Sequence, residues 1–99
     1  MDFDAAFDAL LDRERTIHDA KRNDYTGGLD PLYNYRKSAE VMGISCALGM
    51  VGRLQEKVTR LSVLLRDGAE RKVEDEKIAD TCIDIAIIAK LIAIEAGDA

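Results

Sequence analysis

The segment DEKIADTCIDIAIIAK, residues 75–90, decides the fold and raises the question of function. Its carboxylates Glu76, Asp80 and Asp84 are four residues apart and lead into an almost wholly apolar stretch. At about 100° per residue, this spacing places the three acids on one stripe of a helix, and apolar residues continue the same stripe. The pattern predicts a helix over about residues 73–95 that directs its acids inward, and the half from Cys82 to Ile94 is predicted to be buried nearly all round.

Three more helices are predicted upstream, at about residues 3–22, 32–42 and 45–66, because apolar residues recur there every three or four positions. The stretch NDYTGGLDP separates the first two of these helices. Gly43 suits the C-cap of the second helix, and Ser45 suits the N-cap of the third. The 99 residues therefore predict one all-α domain, a four-helix bundle that spans the whole chain.

Composition and charge narrow the class of protein. The chain is 47% apolar and 33% charged, which suits a folded soluble protein. Its net charge of −5 disfavours binding of nucleic acid or of an anionic membrane. No apolar run reaches membrane-spanning length, and the acidic N-terminus is unlike a signal peptide. Cys46 and Cys82 make no metal-binding motif, so we expect reduced core thiols in a cytoplasmic protein.

Inward acids need positive partners, because an unpaired buried charge is costly. One interpretation is a salt-bridge network with Arg53, Lys57 and Arg60 of the third helix. The other is a metal site, since Glu56 adds a fourth carboxylate near the acidic stripe. Such a set of oxygen ligands suits Mg²⁺ or Mn²⁺, which bridge to substrate phosphates. The residues alone leave both interpretations open.

Four short motifs together resemble a family of small, often phage-encoded, MazG-like nucleoside triphosphate pyrophosphohydrolases. In chain order they are K-x-x-D-Y (Lys21, Asp24, Tyr25), the pair Asn34 and Tyr35, R-x-x-E-K-x-x-R-L (Arg53 to Leu61), and E-x-x-x-D-T-x-x-D (Glu76 to Asp84). The resemblance covers about residues 20–95. It implies an all-α MazG-like bundle, dimeric or tetrameric, that uses Mg²⁺ to split a nucleoside triphosphate into a monophosphate and pyrophosphate.

The resemblance also implies roles for individual residues. The metal ligands would be Glu56, Glu76, Asp80 and Asp84. Glu56 and Glu76 would be catalytic, with Glu76 acting on the attacking water. The substrate-binding residues would be Lys21, Arg53, Lys57 and Arg60 at the phosphates, and Asp24, Tyr25 and Asn34 at the base or sugar.

The acidic motif departs from the family pattern. Arg53 stands where the first acid of an ExxE pair is usual, and the second pair is stretched to Glu76 and Asp80. A protein that binds and sequesters a nucleotide without turnover is therefore the alternative function, and a purely structural bundle is a third. The lone histidine, His18, is expected to be a surface residue. For the oligomer, we expect Ile85, Ile88 and Ile92 to face another subunit.

Overall fold

A computed structural model describes residues 2–26, 32–66 and 74–98, without the side chains of residues 23–26 and 74–77. These residues form four α-helices and no strand, which confirms the predicted all-helical class. The helices are α1 (Phe3–Thr26), α2 (Tyr33–Met42), α3 (Cys46–Leu64) and α4 (Glu74–Glu95).

The junction between α2 and α3 has the caps that the sequence predicts. Gly43 follows α2 with φ 70°, a left-handed conformation that glycine adopts without a steric penalty. Its N–H donates to the carbonyl of Glu40 at 3.2 Å. Ser45 precedes α3, and its hydroxyl accepts a hydrogen bond from the backbone N–H of Leu48 at 3.1 Å. Both predicted caps are confirmed, so α2 and α3 meet through a short turn.

Helix α1 is longer than its sequence pattern predicts, since it ends at Thr26 instead of near residue 22. Asparagine and aspartate disfavour a helix interior only slightly, so Asn23 and Asp24 do not stop it. The glycines that follow lie outside the described residues.

The packing is built on the pair formed by α3 and α4. Helix α2 packs on α3, and α1 packs on α4. The apolar side chains buried between these elements are Leu32, Ala39, Met50, Ile83, Ile87 and Ile88. Ile88, expected from the sequence to face another subunit, is only 6% exposed within one chain, so that part of the prediction is wrong. Ile85 and Ile92 are half-buried.

Ion pairs tie α1 and α2 to α4. Arg13 of α1 pairs with Asp80, and Glu14 pairs with Lys90. Arg36 of α2 donates two hydrogen bonds to Glu95, at 2.7 and 2.8 Å. Such bidentate pairs between a guanidinium and a carboxylate are the more strongly oriented ones. Ion pairs thus link each of the two outer helices to α4.

Two further surface properties follow from the fold. Cys82 is exposed on α4, contrary to the expectation of a core thiol, because it lies on the side of the helix opposite the packed isoleucines. Within the described helices, none combines the length and apolar character that crossing a membrane would require.

Candidate functional site: a cationic cavity at the helix junction

A cavity of about 340 Å³ lies where the four helices meet. Its volume falls within the range of roughly 300–1,000 Å³ that is usual for small-molecule sites. Ile87, Ile88 and Leu91 of α4, with Leu32 before α2, give it an apolar wall. The polar lining residues that the structure describes are His18, Lys21, Arg22, Asn34, Tyr35, Ser38, Arg53, Lys57 and Asp84.

Helix periodicity explains how these side chains converge. Arg53 and Lys57 are four residues apart on α3 and so share one face. Asn34 and Ser38 have the same spacing on α2. Lys21 lies three residues after His18 on α1, so these two side chains also share one face. The helices α1, α2 and α3 therefore each contribute one narrow polar strip to a common space, and α4 adds Asp84.

Asp84 is the acid at the centre of this arrangement. Its Oδ1 accepts from Lys21 Nζ at 3.2 Å, and its Oδ2 lies 3.2 Å from Lys57 Nζ. Burial opposes ionisation of the carboxyl, but the hydrogen bonds from Lys57 and Lys21 outweigh burial and leave the pKa of Asp84 below its usual value. Asp84 is thus a carboxylate shared by two lysines.

Arg53 has a carboxylate partner at the edge of the cavity. Its guanidinium donates to Glu56 at 3.0 Å within α3. This hydrogen bond is the main reason that the pKa of Arg53 is raised, and Tyr35 adds to the effect. The exposed Glu56 side chain leaves this pair open to solvent. A pair of this kind contributes little to stability, so Arg53 can exchange its partner at small cost.

The described lining carries more positive than negative charge. Lys21, Arg22, Arg53 and Lys57 face a single lining acid, Asp84, in a chain whose net charge is −5. Cations gathered against the overall charge of a protein raise the local potential and attract anions. The cavity is therefore suited to a negatively charged ligand.

The expected metal ligands do not come together among the described side chains. Asp84 pairs with two lysines, Asp80 with Arg13, and Glu56 with Arg53. In the described part of the chain, no three Asp, Glu, His or Cys side chains form a group that could hold a metal ion. The side chain of Glu76 lies outside that part. The ion pairs of the described acids match the salt-bridge interpretation, and the Mg²⁺ site, which includes Glu76, stays a prediction.

The predicted substrate-binding residues divide into three groups. Lys21, Asn34, Arg53 and Lys57 line the cavity together. Arg60 is exposed on α3 and is absent from the lining. The side chains of the remaining two, Asp24 and Tyr25, lie outside the described residues.

Four polar lining residues are absent from the predicted site: His18, Arg22, Tyr35 and Ser38. His18, expected at the surface, is half-buried in the cavity wall. Helical spacing could have indicated two of them. His18 lies three residues before Lys21, and Ser38 lies four residues after Asn34. Tyr35 belongs to one of the quoted motifs, but the resemblance implies no role for it.

Comparisons with protein-family models, with curated proteins and with solved structures gave no match to this chain. The MazG-like resemblance therefore depends on the four quoted motifs. The cavity adds a geometric relation between them, because each motif contributes at least one lining residue: Lys21, Asn34 and Tyr35, Arg53 and Lys57, and Asp84.

Proposed function

We propose that this protein binds a nucleoside phosphate in the cationic cavity. The observation that supports the proposal most is the convergence of Lys21, Asn34, Arg53 and Lys57 on one space. These residues belong to three different sequence motifs and to three different helices. In a purely structural bundle, pairing with Asp84 would account for Lys21 and Lys57, but it would not account for Asn34 in the same space.

The chemistry of the lining matches the parts of such a ligand. Lysine and arginine are the usual partners of phosphate oxygens, and arginine can bind them in a bidentate manner. Tyr35 offers a half-buried aromatic ring on which a base can stack. Asn34 and Ser38 supply hydrogen-bonding groups for base or sugar. The apolar wall of α4 excludes water from one side of the ligand.

Hydrolysis of a nucleoside triphosphate is the second candidate function. The feature that favours it is the spacing of Glu76, Asp80 and Asp84, which are four residues apart on the helix α4. Asp84 also borders the cavity. Since the described acids Glu56, Asp80 and Asp84 are each paired with lysine or arginine, the binding function takes precedence.

The two candidates are separated by one set of incubations. The protein is mixed with nucleoside mono- and triphosphates, in ribose and deoxyribose forms, with and without Mg²⁺. Binding is measured by calorimetry and products by chromatography. Binding without product supports the proposed function, and Mg²⁺-dependent release of monophosphate and pyrophosphate supports hydrolysis. Absence of both leaves only a structural bundle.

We also infer that the chain forms a homo-oligomer, with a dimer as its basic unit, through an α1 surface. This surface consists of the side chains of Phe3, Phe7, Leu10 and Leu11, which are between 41% and 72% exposed. The rings of Phe3 and Phe7 stack at 6.3 Å between centroids. Beside them, a second cavity of about 290 Å³ opens between α1 and α4.

The apolar character of the α1 surface supports this inference, because exposed apolar patches of this kind are typical of protein–protein contacts. A second copy packed on the α1 surface would remove apolar area from water.

A further inference from the structure

Asp84 occupies an unusual position for a site that is to bind an anion. It is the only acid among the described lining residues, and both of its oxygens contact cations of the cavity. Its side chain is 24% exposed, and that of Lys57 is 13% exposed. The two ammonium groups that are best placed for a phosphate are therefore already engaged by a carboxylate.

We propose that Asp84 is an internal counter-ion that sets how much negative charge the cavity accepts. This inference depends on the proposed function, because it concerns the same site. A phosphate that approaches Lys21 and Lys57 must either displace the carboxylate or lie beside it. In both cases the negative charge of Asp84 opposes the negative charge of the ligand.

The opposition grows with the charge of the ligand, since the Coulomb energy is proportional to the product of the two charges. A group with a small charge, such as a monophosphate, is opposed less than a pyrophosphate or a longer chain. Asp84 thus favours a singly phosphorylated ligand over a polyphosphate. It also keeps the lysines paired when no ligand is bound, which avoids the cost of unpaired, partly buried charges.

The test uses inorganic phosphate, pyrophosphate and tripolyphosphate as probes of increasing charge, with affinities measured by calorimetry in the absence of divalent metal. In Asp84→Asn, which lacks the repelling charge, affinity should rise by about tenfold for pyrophosphate and by less for phosphate. Partial screening weakens the repulsion between Asp84 and the ligand in the wild type but does not remove it. The ratio of the two affinities is the decisive readout. A residue that only holds the lysines in place would not change that ratio.

Three further variants complete the design. Asp19→Asn makes the same chemical change on α1, at an exposed residue that pairs with Arg15 and is absent from the lining, and it should leave the ratio unchanged. Asp84→Glu keeps the charge and should keep the preference for phosphate. Asp84→Ser removes the same charge through a smaller side chain and replaces the asparagine variant if that variant does not fold.

The outcomes separate this inference from the proposed function. If the wild type binds the probes and loss of the Asp84 charge weakens all of them equally, Asp84 is a positioning residue and the counter-ion role is overturned. An equal gain in Asp19→Asn overturns it too, since net charge alone would then explain the effect. If neither the wild type nor the neutral variants bind any probe or nucleotide, both proposals fail.

Discussion

Lys57 of α3 places its Nζ 3.2 Å from Oδ2 of Asp84 on α4, and both side chains are mostly shielded from solvent. This contact joins the two helices that form the main packing pair. It also lies in the wall of the cationic cavity. The same ion pair therefore serves the fold and defines the electrostatics of the candidate site.

The stability of the protein should depend on the ionisation of Asp84. The pKa of Asp84 in the folded protein is below its ordinary value. The carboxylate therefore contributes fully to stability at pH values above the ordinary carboxyl pKa, and this contribution is lost as the pH falls through the folded-state pKa. At pH 7, Asp84→Asn should lower the free energy of unfolding by about 1–2 kcal/mol, a value reduced for partial exposure. Urea unfolding measures this free energy.

The pH dependence provides the check on that assignment. The difference in unfolding free energy between the wild type and Asp84→Asn should shrink between about pH 5 and pH 3, as the wild-type carboxylate becomes protonated. A difference that stays constant over this interval would show that the substitution acts by another route, such as altered packing beside Ile87 and Ile88.

Asp80 should contribute less to stability than Asp84, because the Asp80 side chain, which pairs with Arg13, is 58% exposed. Asp80→Asn should change the free energy of unfolding by less than about 1 kcal/mol in metal-free buffer. If there is no metal site, millimolar Mg²⁺ should leave the melting temperature of the wild type unchanged, because only an ion that binds the folded state would raise this temperature. A rise that Asp80→Asn abolishes would instead support the metal site of the hydrolase candidate.

Much of the fold could be predicted from the sequence, because its signals are local. The caps Gly43 and Ser45 and the apolar periodicity of α3 and α4 depend on neighbouring residues only. The pattern places the end of α1 too early because polar residues weaken a helical pattern without stopping the helix. Local signals of this kind suffice for element type but locate boundaries less well.

The candidate site was only partly predictable, since its geometry depends on long-range pairing. The spacing of Arg53 and Lys57 places both on one helix face, but it does not tell which acid each one meets. Lys57 meets Asp84, whereas Arg53 turns to Glu56 on its own helix. The pair formed by Arg36 and Glu95 has no sequence signal at all, because 59 residues separate its members.

Self-association can be tested on the α1 surface. Leu11→Glu places a charge on this surface, where the leucine is 48% exposed. The monomer should tolerate it, because an exposed position changes stability by about 0.5 kcal/mol or less. The dimer should not, because a buried unpaired charge is costly. Sedimentation should then show a dimer or larger oligomer for the wild type and a monomer for the variant.

A matched control places the same charge elsewhere. Val41 of α2 is 87% exposed and lies outside the α1 surface, so Val41→Glu should sediment like the wild type. A wild-type protein that is monomeric at micromolar concentration would contradict the self-association proposal. It would leave the cavity unaffected, because all of its described lining residues come from one chain.

The central claim is that the cationic cavity binds a nucleoside phosphate, and calorimetric titration of Lys57→Ala tests it most directly. Lys37→Ala is the control, because Lys37 is an exposed lysine of α2 outside the lining. With a panel of nucleoside mono- and triphosphates, the wild type and Lys37→Ala should bind the same ligand equally well. Lys57→Ala should lose about 1–3 kcal/mol of binding free energy, the scale of a charge-assisted hydrogen bond. Equal affinity in all three proteins, or no binding by the wild type, would contradict the claim.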